Sequence, residues 1–120
     1  MSILRYTASL DNVITNAFQE NLSTRATGSN MGASDILETF SIYGQSHSGS
    51  VELSRILISF PIDKVISDRN AGIIDSSGSV TWKLKLYNAK HYETVPQSFD
   101  IKVSAVSQAW EEGTGIDMAD

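Results

Sequence analysis

The chain has 120 residues, with nine Lys or Arg against fourteen Asp or Glu, which gives a formal net charge of −5 at pH 7. A chain of this length suits one domain with a modest hydrophobic core. An acidic surface repels the phosphate backbone, and no cluster of basic residues offsets it, so we expect no nucleic-acid partner.

Cysteine is absent, which excludes a disulfide framework, a thiolate zinc site and a cysteine nucleophile. No apolar run approaches the roughly 20 residues that a membrane-spanning helix needs, so we expect no membrane partner. The N-terminal sequence MSILRYTASLDN lacks the charged start and long apolar centre of a signal peptide. These features favour assembly inside a cell.

The first third of the chain is ambiguous. Residues 3–6 could begin a strand, Asp11 and Asn12 are typical of a turn, and Val13 and Ile14 form a short β-branched run. Small and polar residues fill positions 19–35 and predict an irregular loop. This loop is either a plain surface connection or a loop that binds a ligand.

Four later stretches alternate apolar and polar residues with the period of two that a half-buried strand shows: 36–44, 51–62, 79–89 and 99–110. In the last of these the alternation changes phase near Ala105, which predicts a β-bulge or a bend. The third is the most regular and directs Val80, Trp82, Leu84 and Leu86 to a buried face. We interpret residues 63–78 as a connection with at most one helical turn. The pattern predicts an all-β fold, an antiparallel jelly-roll-like β-sandwich, formed as a single domain over residues 1–120.

The sequence shows no catalytic constellation, so we expect no enzymatic activity. His47 and His91 lie in predicted loops, and no nucleophile elbow, phosphate loop or dinucleotide motif is present. Glu111 and Glu112 are adjacent, so in a strand they point to opposite faces and cannot flank one sugar as a glycosidase requires. We expect no cofactor and no metal; a structural calcium ion near Glu111, Glu112, Asp117 and Asp120 is the alternative.

Aromatic residues fall into two groups. Trp82 is in phase with an apolar face, and Trp110 ends a strand, so both are predicted to belong to the core. Tyr43, Tyr87 and Tyr92 are the candidates for an exposed aromatic surface that binds a ligand or forms an interface.

The order of segments DNVITNAF, SRILISFPI, SVTWKLKLYNA and FDIKVSAVSQAWEEGTG resembles the DNRLRE-type domain family. The matching residues are Asp11, Ser54, Arg55, Leu57, Phe60, Val80, Leu84, Leu86, Tyr87, Val103, Trp110, Glu112, Gly113 and Thr114. The resemblance implies a jelly-roll β-sandwich with binding or structural roles, including carbohydrate-binding modules, and no catalysis by the domain.

The resemblance also implies a structural role for the motif Trp110, Glu112, Gly113 and Thr114. Trp110 would close the core, Glu112 would form a partly buried ion pair with Arg55, and the glycine and threonine would form the turn after the strand. Chains of the family continue past this motif. We therefore expect either a sandwich that lacks one strand, with an open edge that favours assembly, or the N-terminal part of a longer chain.

The segments SILRYTASLDNVITNAF and WKLKLYNAKHYETVPQSFDIKVSAVSQAWEEGTGIDMAD resemble structural proteins of marine tailed bacteriophages. This resemblance implies a virion protein, assembled in the host cytoplasm, that decorates a head or builds a neck, tail or fibre. Its partners would be other virion proteins and further copies of itself. The alternative is a carbohydrate-binding module that recognises a surface glycan through its exposed tyrosines.

Overall fold

A computed structural model of the protein describes residues 3–43, 51–90, 92 and 98–116. Its regular elements are three strands and one helix: β1 (Leu10–Thr15), β2 (Ser41–Tyr43), β3 (Val51–Ser59) and α1 (Ile62–Asn70). The chain divides into two units. The first comprises Met1–Val80 and Glu112–Asp120, and the second comprises Thr81–Glu111.

The three strands form one antiparallel sheet in the order β1-β3-β2. The register places Leu10 opposite Ser59 and Thr15 opposite Ser54, while Ser41 lies opposite Leu53. The predicted strand at 51–62 is confirmed as β3, whereas the strand at 36–44 is reduced to β2. The predicted turn at Asp11 and Asn12 is wrong, because both residues lie inside β1.

The core of the first unit is small. It consists of Val13 from β1, Ala26 and Met31 from the polar loop, and Ile74 from the segment after α1. The loop at 19–35 is irregular, as predicted, yet it supplies two of these buried side chains. Arg25 also closes the loop on itself, because its guanidinium lies 3.8 Å from the centre of the Phe18 ring.

Helix α1 occupies the first half of the predicted connection at 63–78 and is longer than the single helical turn considered there. Pro61 precedes it, Asp63 lies in its first turn and Arg69 in its last turn, which suits the helix dipole. After the helix, the N–H of Gly72 bonds to the Arg69 carbonyl and the N–H of Ile73 bonds to the Asp68 carbonyl. These two bonds are the pattern of a Schellman ending. The helix has one buried residue, Asp68, so it lacks the apolar stripe that would have predicted it.

The second unit departs most from the sequence prediction. No residue of 79–90 or 98–111 belongs to a strand, and no backbone–backbone hydrogen bond joins the described residues of these two stretches. The side chains predicted to be buried are exposed, with 61% of the Trp82 surface accessible, and the same holds for Val80, Leu84 and Leu86. Alternation therefore identifies which side chains share a face, but a strand also needs a backbone partner.

The regular structure is thus β-rich, with one small antiparallel sheet and one short helix. The jelly-roll sandwich remains a prediction. Among the described residues, no helix has the length and apolar character to cross a membrane.

Candidate functional site

The segment Glu112–Gly115, which follows Trp110, is bound to β1 by polar contacts. One carboxylate oxygen of Glu112, Oε1, accepts the backbone N–H of Asp11 at 2.8 Å. The backbone carbonyl of Glu112 accepts a hydrogen bond from the Asn12 side-chain Nδ2 at 2.7 Å. The Glu112 segment therefore ends against an early strand, about 100 residues away along the chain.

Asn12 connects this segment to the polar loop as well. Its side chain is almost fully buried, and its Oδ1 accepts the backbone N–H of Met31 at 3.1 Å. A side-chain amide has both donors and an acceptor, so one Asn can bond a carbonyl and an N–H at the same time. The buried amide is thereby satisfied at both ends, as burial of a polar group requires.

Asn30 makes the second set of contacts. Its Oδ1 accepts the backbone N–H of Gly32 at 3.0 Å and that of Gly115 at 2.9 Å. The N–H of Ala33 also bonds to the Gly115 carbonyl at 2.8 Å. We call the group of Asp11, Asn12, Asn30, Glu112 and Gly115 the asparagine junction.

Glycine is required at three positions of the junction, 32, 113 and 115; at position 115 a Cβ atom would lie 2.3 Å from the Asn30 carbonyl oxygen. A Cβ atom at position 32 would overlap the backbone carbonyl of Glu112, so no larger residue fits there without moving the segment. Gly113 has a φ of 78°, in the left-handed region that L side chains rarely adopt. The Glu-Gly-Thr sequence is therefore explained by a tight approach of two backbones.

The contacts of the junction are structural: they connect segments of the chain. The contacts of its side chains are made to backbone groups, and the Glu112 carboxylate is occupied by a backbone N–H. Within the described ranges, no group of three or more His, Cys, Asp or Glu side chains is placed to hold a metal ion. Asp117, Asp120, His47 and His91, which the sequence analysis considered, lie outside the described residues.

The expected ion pair between Arg55 and Glu112 is not formed. Arg55 is exposed on β3 opposite Ile14, whereas Glu112 bonds to Asp11, which lies opposite Ile58 further along the ladder. Trp110 is half-buried and Thr114 is exposed. The structure therefore brings Glu112 and Gly113 into one site and leaves Arg55 outside it.

A second polar cluster joins α1 to the N-terminal segment. The Tyr6 hydroxyl donates a hydrogen bond of 2.8 Å to Oδ2 of the buried Asp68, and Lys64 forms an ion pair with Oδ1. The hydrogen bond from Lys64, followed by that from Tyr6, lowers the pKa of Asp68. Burial, followed by the hydrogen bond to Asp68, raises the pKa of Tyr6.

The predicted exposed aromatics lie outside both clusters. The side chains of Tyr87 and Tyr92 are 79% and 92% exposed. The Lys85 ammonium lies 4.7 Å from the centre of the Tyr87 ring, and the Lys90 ammonium lies 5.4 Å from that of Tyr92. Tyr43 is the last residue of β2, and its side chain lies outside the described part of the protein.

Sequence reasoning missed Asn12, Asn30, Tyr6 and Asp68. One signal was present for Asn12, since a polar pair directly before the apolar Val13 and Ile14 also fits a strand with a buried amide. Another was present for Asn30, because Asn two residues before Gly is typical of a side chain that bonds the following backbone. Nothing in the sequence connects Tyr6 to Asp68, which are 62 positions apart.

No family model matches this chain, and no curated protein and no solved structure matches it.

Proposed function

We propose that the protein is a non-enzymatic structural component of a bacteriophage virion, a head-decoration, neck, tail or fibre module that acts by protein–protein assembly. The supporting observation is the exposed apolar surface of the second unit, to which Trp82, Leu84, Leu86, Phe99, Ile101 and Val103 contribute. Large apolar side chains that are exposed and lie close together along the chain are typical of an interaction surface.

The proposed architecture is the jelly-roll β-sandwich of DNRLRE-type domains. Two features of the first unit support it. The sheet is antiparallel, and Asp11 is hydrogen-bonded to Glu112, so the two ends of the resembling region meet at one place. A domain that holds its Glu112 segment against its first strand in this way is suited to a rigid building block.

Sedimentation of the native protein from a lysate of infected cells tests the assembly function. We expect the chain to travel with large particles and to remain there after nuclease treatment, since nucleic acid is not its partner. Recovery of the chain only as a free species at the top of the gradient would contradict the proposal.

The exposure of Tyr87 and Tyr92 favours a second candidate, a carbohydrate-binding module, because tyrosine rings stack on sugar rings. A glycan array with the intact chain tests it. Under this candidate Tyr87→Ala and Tyr92→Ala abolish sugar binding, whereas Tyr87→Phe, which keeps the ring, retains most of it. Equal binding by the alanine and phenylalanine variants would remove these rings from the site.

A further inference from the structure

We propose that residues 82–86 of one copy add as a fourth strand to the free edge of β2 in a second copy. This inference rests on the proposed assembly function and names the partner and the two surfaces involved. It follows from three observations: an open strand edge in the first unit, an unpaired alternating segment in the second, and opposite charge on the two units.

The open edge belongs to β2. The Ser54 N–H bonds to the Phe40 carbonyl, and Ile42 lies opposite Glu52. In an antiparallel ladder, alternate residues direct their backbone groups to the partner strand, so the N–H and C=O of Ser41 point away from β3. The order β1-β3-β2 leaves that side of β2 without a strand among the described residues.

The other edge of the sheet is partly closed. On β1, the outward N–H of Asp11 is already taken by the Glu112 carboxylate. The asparagine junction therefore covers part of the β1 edge. Among the described residues, the N–H and C=O of Ser41 on β2 are available to an added strand. Strand addition to a free edge is a common mode of protein association.

The segment 82–86 has the properties of the added strand. Trp82, Leu84 and Leu86 alternate with Lys83 and Lys85, and all three apolar side chains are exposed. Across the described residues 79–90, the backbone makes no backbone–backbone hydrogen bond. Pairing with an edge would satisfy these backbone groups and cover the apolar face in one step.

The difference in charge between the two units favours a second copy of this chain as the source of the added strand. Residues 81–111 contain four lysines and three acidic residues, whereas the rest of the chain contains five basic and eleven acidic residues. Pairing of the second unit with itself would bring lysines together. Pairing with the first unit of another copy brings them to an acidic surface, which favours that contact.

The register assigns the side chains. Ile42 and Glu52 are cross-strand neighbours and share one side of the sheet, and Leu53 lies on the other side. In the proposed register Leu84 lies opposite Ser41, whose cross-strand neighbour is Leu53. Lys83 and Lys85 then lie on the side of Glu52, with Glu38 nearby in the chain, while Trp82, Leu84 and Leu86 lie on the side of Leu53. Because the two surfaces differ, each contact joins the second unit of one copy to the first unit of another copy.

Sedimentation velocity of the purified chain over a range of protein and salt concentrations tests the proposal. We expect self-association that increases with protein concentration and weakens with salt. The double variant Lys83→Glu/Lys85→Glu should weaken it about tenfold or more, and so should Glu38→Lys/Glu52→Lys. Combining all four changes should restore it.

The matched control is Lys90→Glu/Lys102→Glu, which makes the same change in net charge within the same unit and should leave association unchanged. Ser41→Pro probes the backbone, because it removes only the outward N–H and proline is tolerated at an edge; it should abolish association. Circular dichroism and the thermal unfolding transition verify that each variant is folded.

A wild-type chain that is monomeric at every concentration would overturn the inference. So would an equal loss in the Lys90/Lys102 control, or the failure of the fourfold variant to recover. These results are separate from the virion function: a chain that travels with particles but stays monomeric when pure keeps the proposed function and loses this inference.

Discussion

At the scale of single residues, Asn12 connects three segments of the first unit: β1, the polar loop and the Glu112 segment. It is buried in β1, donates to the Glu112 carbonyl and accepts from the Met31 N–H. Asp in its place would lose the donor, and Leu would lose both bonds. An asparagine amide therefore specifies the mutual position of β1, the loop and the Glu112 segment at once.

Replacing Asn12 by Ala leaves the buried N–H of Met31 without its acceptor, and leaves the Glu112 carbonyl with only the longer hydrogen bond from Asn30 Nδ2, at 3.4 Å. We expect the free energy of unfolding to fall by about 1–3 kcal/mol, measured by urea denaturation. Asn70→Ala, at the exposed end of α1, is the matched control and should change it by less than about 0.5 kcal/mol. Equal effects of the two substitutions would show that the junction contributes nothing to stability.

At the scale of elements, α1 is connected to the N-terminal segment by one carboxylate. Asp68 faces Tyr6 from that segment and Lys64 from the preceding helical turn, and its backbone carbonyl accepts the N–H groups of Ile73 and Ile74. The carboxylate is the shared acceptor for a neutral hydroxyl and an ammonium. Its protonation removes the charge that both contacts use.

This arrangement predicts acid sensitivity. The pKa of Asp68 is lower in the folded protein than in the unfolded chain, so its contribution is present above the unfolded value near ~4. It is lost as the pH falls through the folded value. We expect the unfolding temperature of the wild type to fall more steeply than that of Asp68→Asn as the pH is lowered below about 4.

Parallel pH profiles for the wild type and Asp68→Asn would assign acid denaturation to other groups. Asp75→Asn is the control. Hydrogen bonds from Ser77 and Gly78 lower the pKa of Asp75 too, but Asp75 is exposed and bonds only within its own turn. Its removal should leave the attachment of Tyr6 to α1 intact.

The elements also show how far the sequence predicts this fold. The run from Val51 to Ser59 alternates regularly, pairs on both sides and forms β3 as expected. Residues 82–86 alternate as regularly but form no strand. The alternation indicates which side chains share a face, but it does not show whether another strand lies beside the segment to pair with its backbone.

The candidate site was predictable only in part. The Glu112 and Gly113 motif was recognised, but its partner was expected to be Arg55 and is Asp11. A charge that can be satisfied by any nearby N–H does not identify its partner from sequence. Asn12 and Asn30 were missed for the same reason. Their side chains bond to backbone groups, which every residue has, so no particular residue type in the sequence indicates the partner.

At the scale of the whole molecule, the buried side chains of the described residues all lie in the first unit, whereas the second unit leaves most of its large apolar side chains exposed. The first unit contributes Val13, Ala26, Met31 and Ile74 to a core, whereas described residues 81–111 contain no buried residue. If a second copy covers the apolar face, the stability of the second unit depends on protein concentration, because association stabilises the folded state by mass action.

Trp82→Ala tests whether the Trp82 ring is covered by a second copy or by a core within one chain. In the isolated chain Trp82 is exposed, so its replacement should change the free energy of unfolding by less than about 0.5 kcal/mol at low protein concentration. At high concentration the wild type should unfold at a higher temperature than at low concentration, and the variant should not. Scanning calorimetry over a hundredfold range of about 1–100 μM measures both, well within the range in which weak association is populated. A loss of about 3–5 kcal/mol at every concentration would instead place the ring in a core within one chain, as the alternation alone predicts.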